Sequence, residues 1–152
     1  MDNMLIQVSG TKRVALFPPS DFHFMYMSGD KSEVMDVDSP DLDQHPLFAR
    51  ATKHTCELVA GEVLFIPALW LHNVATVTYS VSVNVFWREL GPTFYDKNDI
   101  YGNKDLVPAA KSMDIAKRIQ KELRAMPQVY RDFYTRRIIQ MLSEGLTQIK
   151  DD

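Results

Sequence analysis

The chain of 152 residues is long enough for one domain or for part of a larger one, and its 45% apolar and 24% charged residues are ordinary for a globular protein. A single cysteine, Cys56, excludes an intramolecular disulfide framework and favours a reducing compartment. No apolar run is long enough to cross a bilayer, and Met1-Asp2-Asn3 opens no secretory signal. We therefore expect a cytoplasmic or nuclear protein with no membrane partner.

The charge is unevenly distributed along the chain, although the net charge of −3 argues against indiscriminate nucleic-acid binding. Residues 30–43 carry six acidic residues against one lysine, a balance of −5. Residues 104–137 carry nine basic residues against four acidic ones, a balance of +5. Such a basic segment can be a surface for RNA, but it is more often a solvated helix face.

Residues 2–17 have the pattern of a β-hairpin, with a turn at Ser9-Gly10 and a second extended run that ends before Pro18-Pro19. A two-residue turn would pair Gln7 with Lys12, Leu5 with Val14 and Asn3 with Leu16. The side chains of these six residues would then share one face.

The position of Lys12 depends on the register of this hairpin. On an inward, partly apolar face, its ammonium group would need an anion to pair with. A three-residue loop would instead turn Lys12 to the other face, where it is a solvated lysine. The sequence leaves both registers open.

Residues 20–49 are expected to form a connecting segment. Phe22-His23-Phe24 could belong to a short helix after Pro19, whereas the acidic stretch that follows reads as loop and turn. Because His23 and His45 have no carboxylate or cysteine at ligand spacing, we expect both at the surface. The spaced acids lack the glycine and the terminal glutamate of a calcium loop, so no calcium site is predicted.

The stretch Gly61–Val74 is the most informative part of the chain. Strand character from Cys56 to Ile66, with a turn at Ala60-Gly61, is ended by Pro67, which lacks a backbone N–H. Trp70 and His72 follow. An imidazole beside packed apolar walls can be a metal ligand or a general base. On these residues alone, a core histidine that is hydrogen-bonded to a backbone group is the favoured interpretation.

The next run, Val74–Trp87, alternates as a single long strand. Its apolar side carries Tyr79, Val81, Val83 and Val85, and the other side carries Ser80, Ser82, Asn84 and Phe86. The polar row can line a ligand site or form the solvent side of a sheet, and both interpretations stay open. Cys56 lies in a strand-like run without a motif around it and is expected to be a buried thiol.

After Gly91-Pro92 the chain is predicted to be helical. Residues 108–126 place Ile115, Ile119 and Leu123 at a spacing of four, and a second helix covers about 127–149. Its apolar stripe consists of Tyr130, Tyr134, Ile138, Met141 and Leu142. Two such helices pack on a sheet or pair with a second copy, and a stripe of this kind is more often intramolecular core.

Two segments together resemble the second half of a JmjC domain, a family of double-stranded β-helix (cupin) oxygenases that depend on Fe(II) and 2-oxoglutarate. They are Gly61-x-Val-Leu-Phe-Ile-Pro-x-x-Trp-x-His72 and Ser-Val-Ser-Val-Asn84-Val-Phe-Trp87. The resemblance implies a mainly β fold, a partial cupin jelly roll over residues 1–90, followed by an α-helical extension over residues 91–152.

The resemblance assigns roles to four residues. His72 matches the distal histidine of the His-x-Asp…His iron triad, and Lys12 matches the lysine that pairs with the far carboxylate of 2-oxoglutarate. Asn3 and Asn84 match polar positions that line the cosubstrate pocket. The ligand role thereby becomes the favoured interpretation of His72, and the cosubstrate supplies the anion that an inward-facing Lys12 would need.

The closer resemblance is to family members that hydroxylate the wybutosine-type guanosine of phenylalanine tRNA, and it covers essentially the whole chain. It includes Tyr95-Asp96-Lys97, Tyr101-Gly102-Asn103-Lys104-Asp105 and Tyr130-Arg131-Asp132-Phe133-Tyr134. It implies tRNA as a partner and a homodimer formed through the C-terminal helices. A protein side chain as substrate, as in other small JmjC hydroxylases, is the alternative.

One feature of the family is missing from the sequence. None of the four histidines is followed two residues later by an aspartate or glutamate, and in the family this motif lies just before the segment that corresponds to Met1-Asp2-Asn3. A two-histidine, one-carboxylate iron site needs three protein ligands. We therefore expect a chain truncated within the domain and inactive alone, or a non-catalytic interaction and dimerisation module.

Overall fold

A computed structural model describes residues 1–29, 31–99 and 104–148, with side chains described as far as residue 145. The chain divides into two compact units, Met1–Asp105 and Leu106–Asp152. The predicted fold class is confirmed, because antiparallel strands make up most of the first unit and two helices form the second. The domain boundary after residue 90 stays a prediction.

The first unit contains two three-stranded antiparallel sheets. Sheet A has the strand order β6-β1-β8, sheet B has the order β5-β2-β7, and β3 and β4 form a small ribbon. The strands are β1 Asp2–Ser9, β2 Thr11–Phe17, β3 Met27–Ser28, β4 Lys31–Ser32, β5 His54–Val59, β6 Val63–Ile66, β7 Leu71–Thr76 and β8 Val81–Trp87. Short 3-10 helices cover Pro19–Phe24, Pro46–Arg50 and Pro92–Phe94.

The predicted β1–β2 hairpin is wrong, although both strands exist where the sequence placed them. β1 pairs with β6 and β8, and β2 pairs with β5 and β7, so neither strand has an edge left for the other. Gly10 lies between them with φ +72°, a conformation that glycine adopts without steric cost. The chain therefore turns a corner from one sheet into the other, and the two strands face each other across the interior.

The single long strand predicted for Val74–Trp87 is also wrong. It is two strands, β7 and β8, in different sheets, separated by a turn at residues 77–80. This turn is tied to the corner after Gly10, because the backbone N–H of Thr11 donates to Thr78 Oγ1 at 2.9 Å and the N–H of Val77 donates to the carbonyl of Thr11 at 3.0 Å. Both sheet crossings thus occur at one end of the unit.

Two hydrophobic clusters lie on opposite sides of β2. Leu5, Val14, Leu58 and Ile66 form the inner cluster between the two sheets. The outer cluster packs against the other face of sheet B and consists of Ala15, Phe17, Met25, Val34, Val37 and Phe48. Alternation of side chains along β2 sends Val14 inward and Phe17 outward, so one strand supports both clusters.

The connecting segment covers the outer face of sheet B. It supplies four members of the outer cluster, and Asp38 forms an ion pair with Arg13 of β2 at 2.7 Å. The short helix predicted to contain Phe22-His23-Phe24 after Pro19 is confirmed as a 3-10 helix that begins at Pro19 itself, Pro19–Phe24. In the loop, Asp36 accepts the backbone N–H groups of Ser39 and Asp38, which lowers the pKa of its carboxyl group.

The prediction of two surface histidines is half right. His23 is exposed, but His45 is only 6% exposed. The His45 ring packs edge-on against Tyr26, with 4.8 Å between the ring centroids. Aromatic packing in the connecting segment thus buries His45. The lack of a carboxylate or cysteine at ligand spacing, from which a surface position was predicted, does not report on this packing. Cys56, expected to be a buried thiol, is free and only half-buried.

The second unit consists of α1, Val107–Arg124, and α2, Gln128–Gln148. Both predicted helices are confirmed, with Pro108 in the first turn of α1, where the missing N–H of proline has no helical acceptor. The described helices include none that is both long and apolar enough to span a membrane.

Candidate ligand site between the sheets

All four candidate site residues have their side chains on the inner faces of the two sheets. Asn3 alternates in phase with Leu5, and Lys12 alternates in phase with Val14, both members of the inner cluster. In register, His72 lies opposite Leu16, and Asn84 lies opposite Leu5. Neither of the two hairpin registers left open for Lys12 exists, but alternation along β2 places its side chain on the inner face.

Asn3 and Asn84 meet directly. Asn3 is 6% exposed, and its Nδ2 donates to Oδ1 of Asn84 at 3.2 Å. The buried Oδ1 of Asn3 has no hydrogen-bond partner among the described residues. Because an orphaned buried polar atom costs about 1–3 kcal/mol, this position favours a bound polar group. A half-turn of both the Asn3 and the Asn84 amide would keep a hydrogen bond between them and offer that group an N–H donor of Asn3 instead of an acceptor.

The polar row on β8 faces the space between the sheets, with Ser82 half-buried and Asn84 exposed. Ser82 donates its hydroxyl to Oε1 of Gln7 at 2.6 Å, and Nε2 of Gln7 donates to the carbonyl of Ser9 at 2.8 Å. Gln7 is 1% exposed and has both ends of its amide satisfied. It therefore fixes β1 against β8 beside the Asn3–Asn84 pair. No motif marks Gln7, although its period-2 alternation with Asn3 and Leu5 is the signal for a place on this face.

Lys12 is half-buried on β2, between Leu58 of β5 and Thr76 of β7 in the register. Within residues 1–29, 31–99 and 104–145 its ammonium group has no carboxylate within ion-pair distance. A half-buried cation without a counter-ion favours the binding of an anion from solution.

His72 lies on β7, after the turn that Pro67 begins. The N–H of Trp70 donates to the carbonyl of Pro67 at 3.3 Å, and Leu69 in this turn has φ +68°. Nδ1 of His72 lies 3.1 Å from the carbonyl oxygen of Trp70. This contact suits an Nδ1–H tautomer, in which Nε2 carries the lone pair that a metal would need. The backbone hydrogen bond of the alternative interpretation is present, but His72 is exposed and is not a core residue.

The space between the sheets is closed on one side and open on the other. On the β5 and β6 side, Leu58 and Ile66 are buried, whereas on the β7 and β8 side, Val74 and Phe86 are each 40% exposed. His72 lies on this open side, on an edge strand of sheet B. In the described part of the chain, no three His, Cys, Asp or Glu residues converge as metal ligands, so His72 is a single candidate ligand.

Of the other segments in the resemblance, Tyr101-Gly102-Asn103 lies outside the described residues. Asp96 is described, and it pairs with Lys104 at 2.7 Å. The hydrogen bond from Lys104 lowers the pKa of the Asp96 carboxyl group and raises the pKa of the lysine. Both residues lie between β8 and α1, outside the two sheets that carry the inner-face site residues.

The chain is similar over most of its length to proteins of the tRNA wybutosine pathway. The chain is 52% identical over 139 residues to human tRNA wybutosine-synthesizing protein 5, a match that covers 91% of this chain and 44% of that protein. It is 51% identical to the chicken protein of the same name over 144 residues, covering 95% and 45%. A tRNA wybutosine-synthesizing protein 4 from Neurospora crassa is 37% identical over 145 residues, covering 91% and 12%.

The chain therefore spans less than half the length of these vertebrate relatives. The family model of the cupin-like domain matches residues 1–91, a range that contains both three-stranded sheets and all four inner-face candidates. The antiparallel sheets fit the jelly roll expected of that domain. The chain belongs to the cupin-like, JmjC-type domain family.

Proposed function

We propose that this chain is the cosubstrate-binding part of an Fe(II)- and 2-oxoglutarate-dependent hydroxylase that acts in wybutosine formation on phenylalanine tRNA. The observation that supports it most is the inward-facing Lys12, which has no ion-pair partner among the described residues, together with the hydrogen bond between buried Asn3 and Asn84 on the inner face of the other sheet. The names of the similar proteins support a role in the tRNA wybutosine pathway rather than hydroxylation of a protein side chain.

The inner-face residues fit a dicarboxylate of this kind. The Lys12 ammonium group would hold the far carboxylate by a charge-assisted hydrogen bond, and the amides of Asn3 and Asn84 would orient the molecule. In the strand register, Lys12 faces Thr76, four residues along β7 from His72, a separation of about 13 Å at about 3.3 Å per residue. A lysine side chain and a five-carbon diacid span this distance together.

The described residues do not fit a complete iron centre, because His72 is one ligand and a two-histidine, one-carboxylate site needs three. Bound iron would supply oxygen activation in a complete enzyme of this class. In this chain, His72 would contribute one nitrogen, oriented by the carbonyl of Trp70. We accordingly propose that the chain binds 2-oxoglutarate but does not turn it over alone.

We predict that Lys12→Gln weakens 2-oxoglutarate binding about 10- to 100-fold, because a hydrogen bond to a charged group contributes about 1.5–3 kcal/mol. Isothermal titration calorimetry of both proteins checks the ratio of dissociation constants. Lys31→Gln is the matched control, since Lys31 is an exposed lysine on the small ribbon. Equal affinity of the Lys12 variant and the wild-type chain would remove the basis for the proposal.

The same preparations test the incomplete iron centre. Incubation with Fe(II), 2-oxoglutarate and phenylalanine tRNA is expected to release no succinate above the level without protein. Succinate release that His72→Ala abolishes would show that the chain completes an iron site by itself. That result would overturn the proposal of a cosubstrate-binding part without turnover.

A second function, a dimerisation module, is favoured by the second unit. α2 carries exposed apolar side chains at positions that wind around the whole helix: Val129, Tyr130, Phe133, Tyr134, Ile139, Met141 and Leu142. A helix that is apolar on several sides is ordinarily buried on several sides. We propose that a second copy covers part of α2, so that the chain forms a homodimer through its helices.

Sedimentation velocity checks this dimer. Phe133, 60% exposed, is expected to be a central contact, so Phe133→Glu should raise the dimer dissociation constant about 30-fold, the equivalent of about 2 kcal/mol. Phe22→Glu alters an equally exposed phenylalanine of the first unit and should leave the dimer intact. A wild-type chain that sediments as a monomer at every concentration would contradict the proposed homodimer.

A further inference from the structure

We infer that Asp2 is a positioning residue for His72 and acts through the turn between β6 and β7. Oδ1 of Asp2 accepts the backbone N–H of Ala68 at 2.9 Å, a contact between residues 66 positions apart in the sequence. Among the described residues, no cation lies within ion-pair distance of this carboxylate. The hydrogen bond to the turn, which is charge-assisted, is therefore the contact that fixes the Asp2 side chain.

The turn that donates this hydrogen bond is strained. Leu69 has φ +68°, a left-handed conformation that is rare for a bulky side chain and persists only where the surrounding structure enforces it. The Leu69 side chain is 80% exposed, so its own packing does not offset the strain. The bond that closes the turn, from the N–H of Trp70 to the carbonyl of Pro67, is long at 3.3 Å. The shorter bond from Ala68 to Asp2 is therefore the stronger restraint on the turn.

The same turn positions the carbonyl group that contacts His72. The side chain of Trp70 packs against the inner cluster, and its carbonyl oxygen lies 3.1 Å from Nδ1 of His72. The hydrogen bond of one ring nitrogen decides the tautomer of a neutral imidazole, so this carbonyl favours the proton on Nδ1 and leaves the lone pair on Nε2. Relaxation of the turn at Leu69 would rotate the Trp70 peptide group and weaken this preference. Asp2 thus influences the candidate ligand nitrogen through a single turn.

The first two residues of β1 serve different parts of the site. Asn3 pairs with Ile66 in the register, so Asp2 lies beside the first residue after β6. Because successive side chains of a strand point to opposite faces, Asn3 lies on the inner face and Asp2 does not. Asp2 therefore acts on His72 from outside the proposed cosubstrate pocket. This inference rests on the proposed function only for the ligand role of His72.

Nuclear magnetic resonance of the isotope-labelled chain, without added metal and at a pH where the imidazole is neutral, tests the inference. The chemical shifts of the two ring nitrogens report which of them carries the proton. Asp2→Ala should lower the ratio of the Nδ1–H to the Nε2–H tautomer of His72 about threefold, and amide exchange at Ala68 should become about tenfold faster. Exchange at Val14, in the inner cluster, should stay within about twofold, which separates loss of the turn from loss of the fold.

Two further variants show whether the effect passes through the turn. Asp41→Ala is the matched control, because Asp41 also accepts backbone N–H groups, in the loop of the connecting segment. It should leave the tautomer ratio of His72 unchanged. Leu69→Gly in the Asp2→Ala chain should restore the ratio to within about twofold of wild type, since glycine adopts a positive φ without steric cost. A general loss of stability would not be rescued by replacing an exposed leucine with glycine.

An unchanged tautomer ratio in the folded Asp2→Ala chain would overturn the inference, as would equal losses in the Asp41 variant or a failure of Leu69→Gly to restore the ratio. If Asp2→Ala does not fold, Asp2→Asn gives the same test, because its amide oxygen is an uncharged and weaker acceptor. A lower ratio with faster exchange at Ala68 supports the inference, and an unchanged ratio overturns it. Calorimetry with 2-oxoglutarate tests the cosubstrate site independently, so the two failures are distinguishable.

Discussion

Gly10→Ala is expected to lower the free energy of unfolding of the first unit by about 3 kcal/mol or more. Two costs combine at this position. The left-handed conformation at φ +72° costs a residue with a side chain about 1–3 kcal/mol. A methyl group would also clash with the backbone oxygen of Tyr79 and lie 2.8 Å from Cα of Ser80, so the corner between the sheets would have to shift.

Urea denaturation followed by circular dichroism measures this effect, and the chain offers a matched control. Gly61 also has a positive φ, +93°, but a methyl group there would meet no atom within 4 Å. Gly61→Ala should therefore show the conformational cost alone, about 1–2 kcal/mol. If the two variants were equally stable, the close approach of the corner to residues 79–80 would not be a determinant of the fold.

Phe17→Ala is expected to destabilise the first unit by about 3–5 kcal/mol, a large part of the about 5–15 kcal/mol that holds a typical domain folded. Phe17 is 1% exposed, and its ring centroid lies 5.6 Å from that of Phe48. Removal of the ring would leave a cavity between sheet B and the connecting segment. The same segment is otherwise tied to sheet B by the Arg13–Asp38 ion pair at the surface.

The midpoint and slope of the urea transition distinguish loss of packing from loss of the fold. Phe22→Ala is the control, because that phenylalanine is 64% exposed and its replacement should change stability by no more than about 0.5 kcal/mol. A Phe17 variant as stable as wild type would mean that the connecting segment does not pack on sheet B in solution.

The residues that share each strand face of the inner-face site could be predicted from the sequence, but the pairing of the strands that brings them together could not. Alternation placed Asn3 and Leu5 on one side of β1, and this is what the structure has. The partner of each strand could not be predicted, because a Ser-Gly turn signals a reversal of direction and not whether the reversal stays within one sheet. Gly10 carries the chain into the other sheet, so residues expected as cross-strand neighbours became facing layers.

His72 shows the same division between local pattern and tertiary arrangement. The run ended by Pro67, with Trp70 and His72 after it, predicted a strand, a turn and an imidazole. The contact between Nδ1 and the carbonyl of Trp70 and the exposure of the ring depend on the turn geometry and on β7 being an edge strand. Whether a strand lies at an edge depends on the order of all strands in the sheet, and the local spacing of residues does not determine that order.

The sequence by itself determined the β-then-α order of the elements, the family and which residues of each strand share a face, because period-2 and period-3.6 patterns and the Gly-to-His motif are local. Tertiary structure alone decided that Lys12 faces inward without an ion pair in the described chain, that Asn3 bonds Asn84, and that His45 is buried. These outcomes depend on contacts between residues distant in sequence. Their free energies come from the packing of two sheets and a long connecting segment, and not from the propensities of the residues themselves.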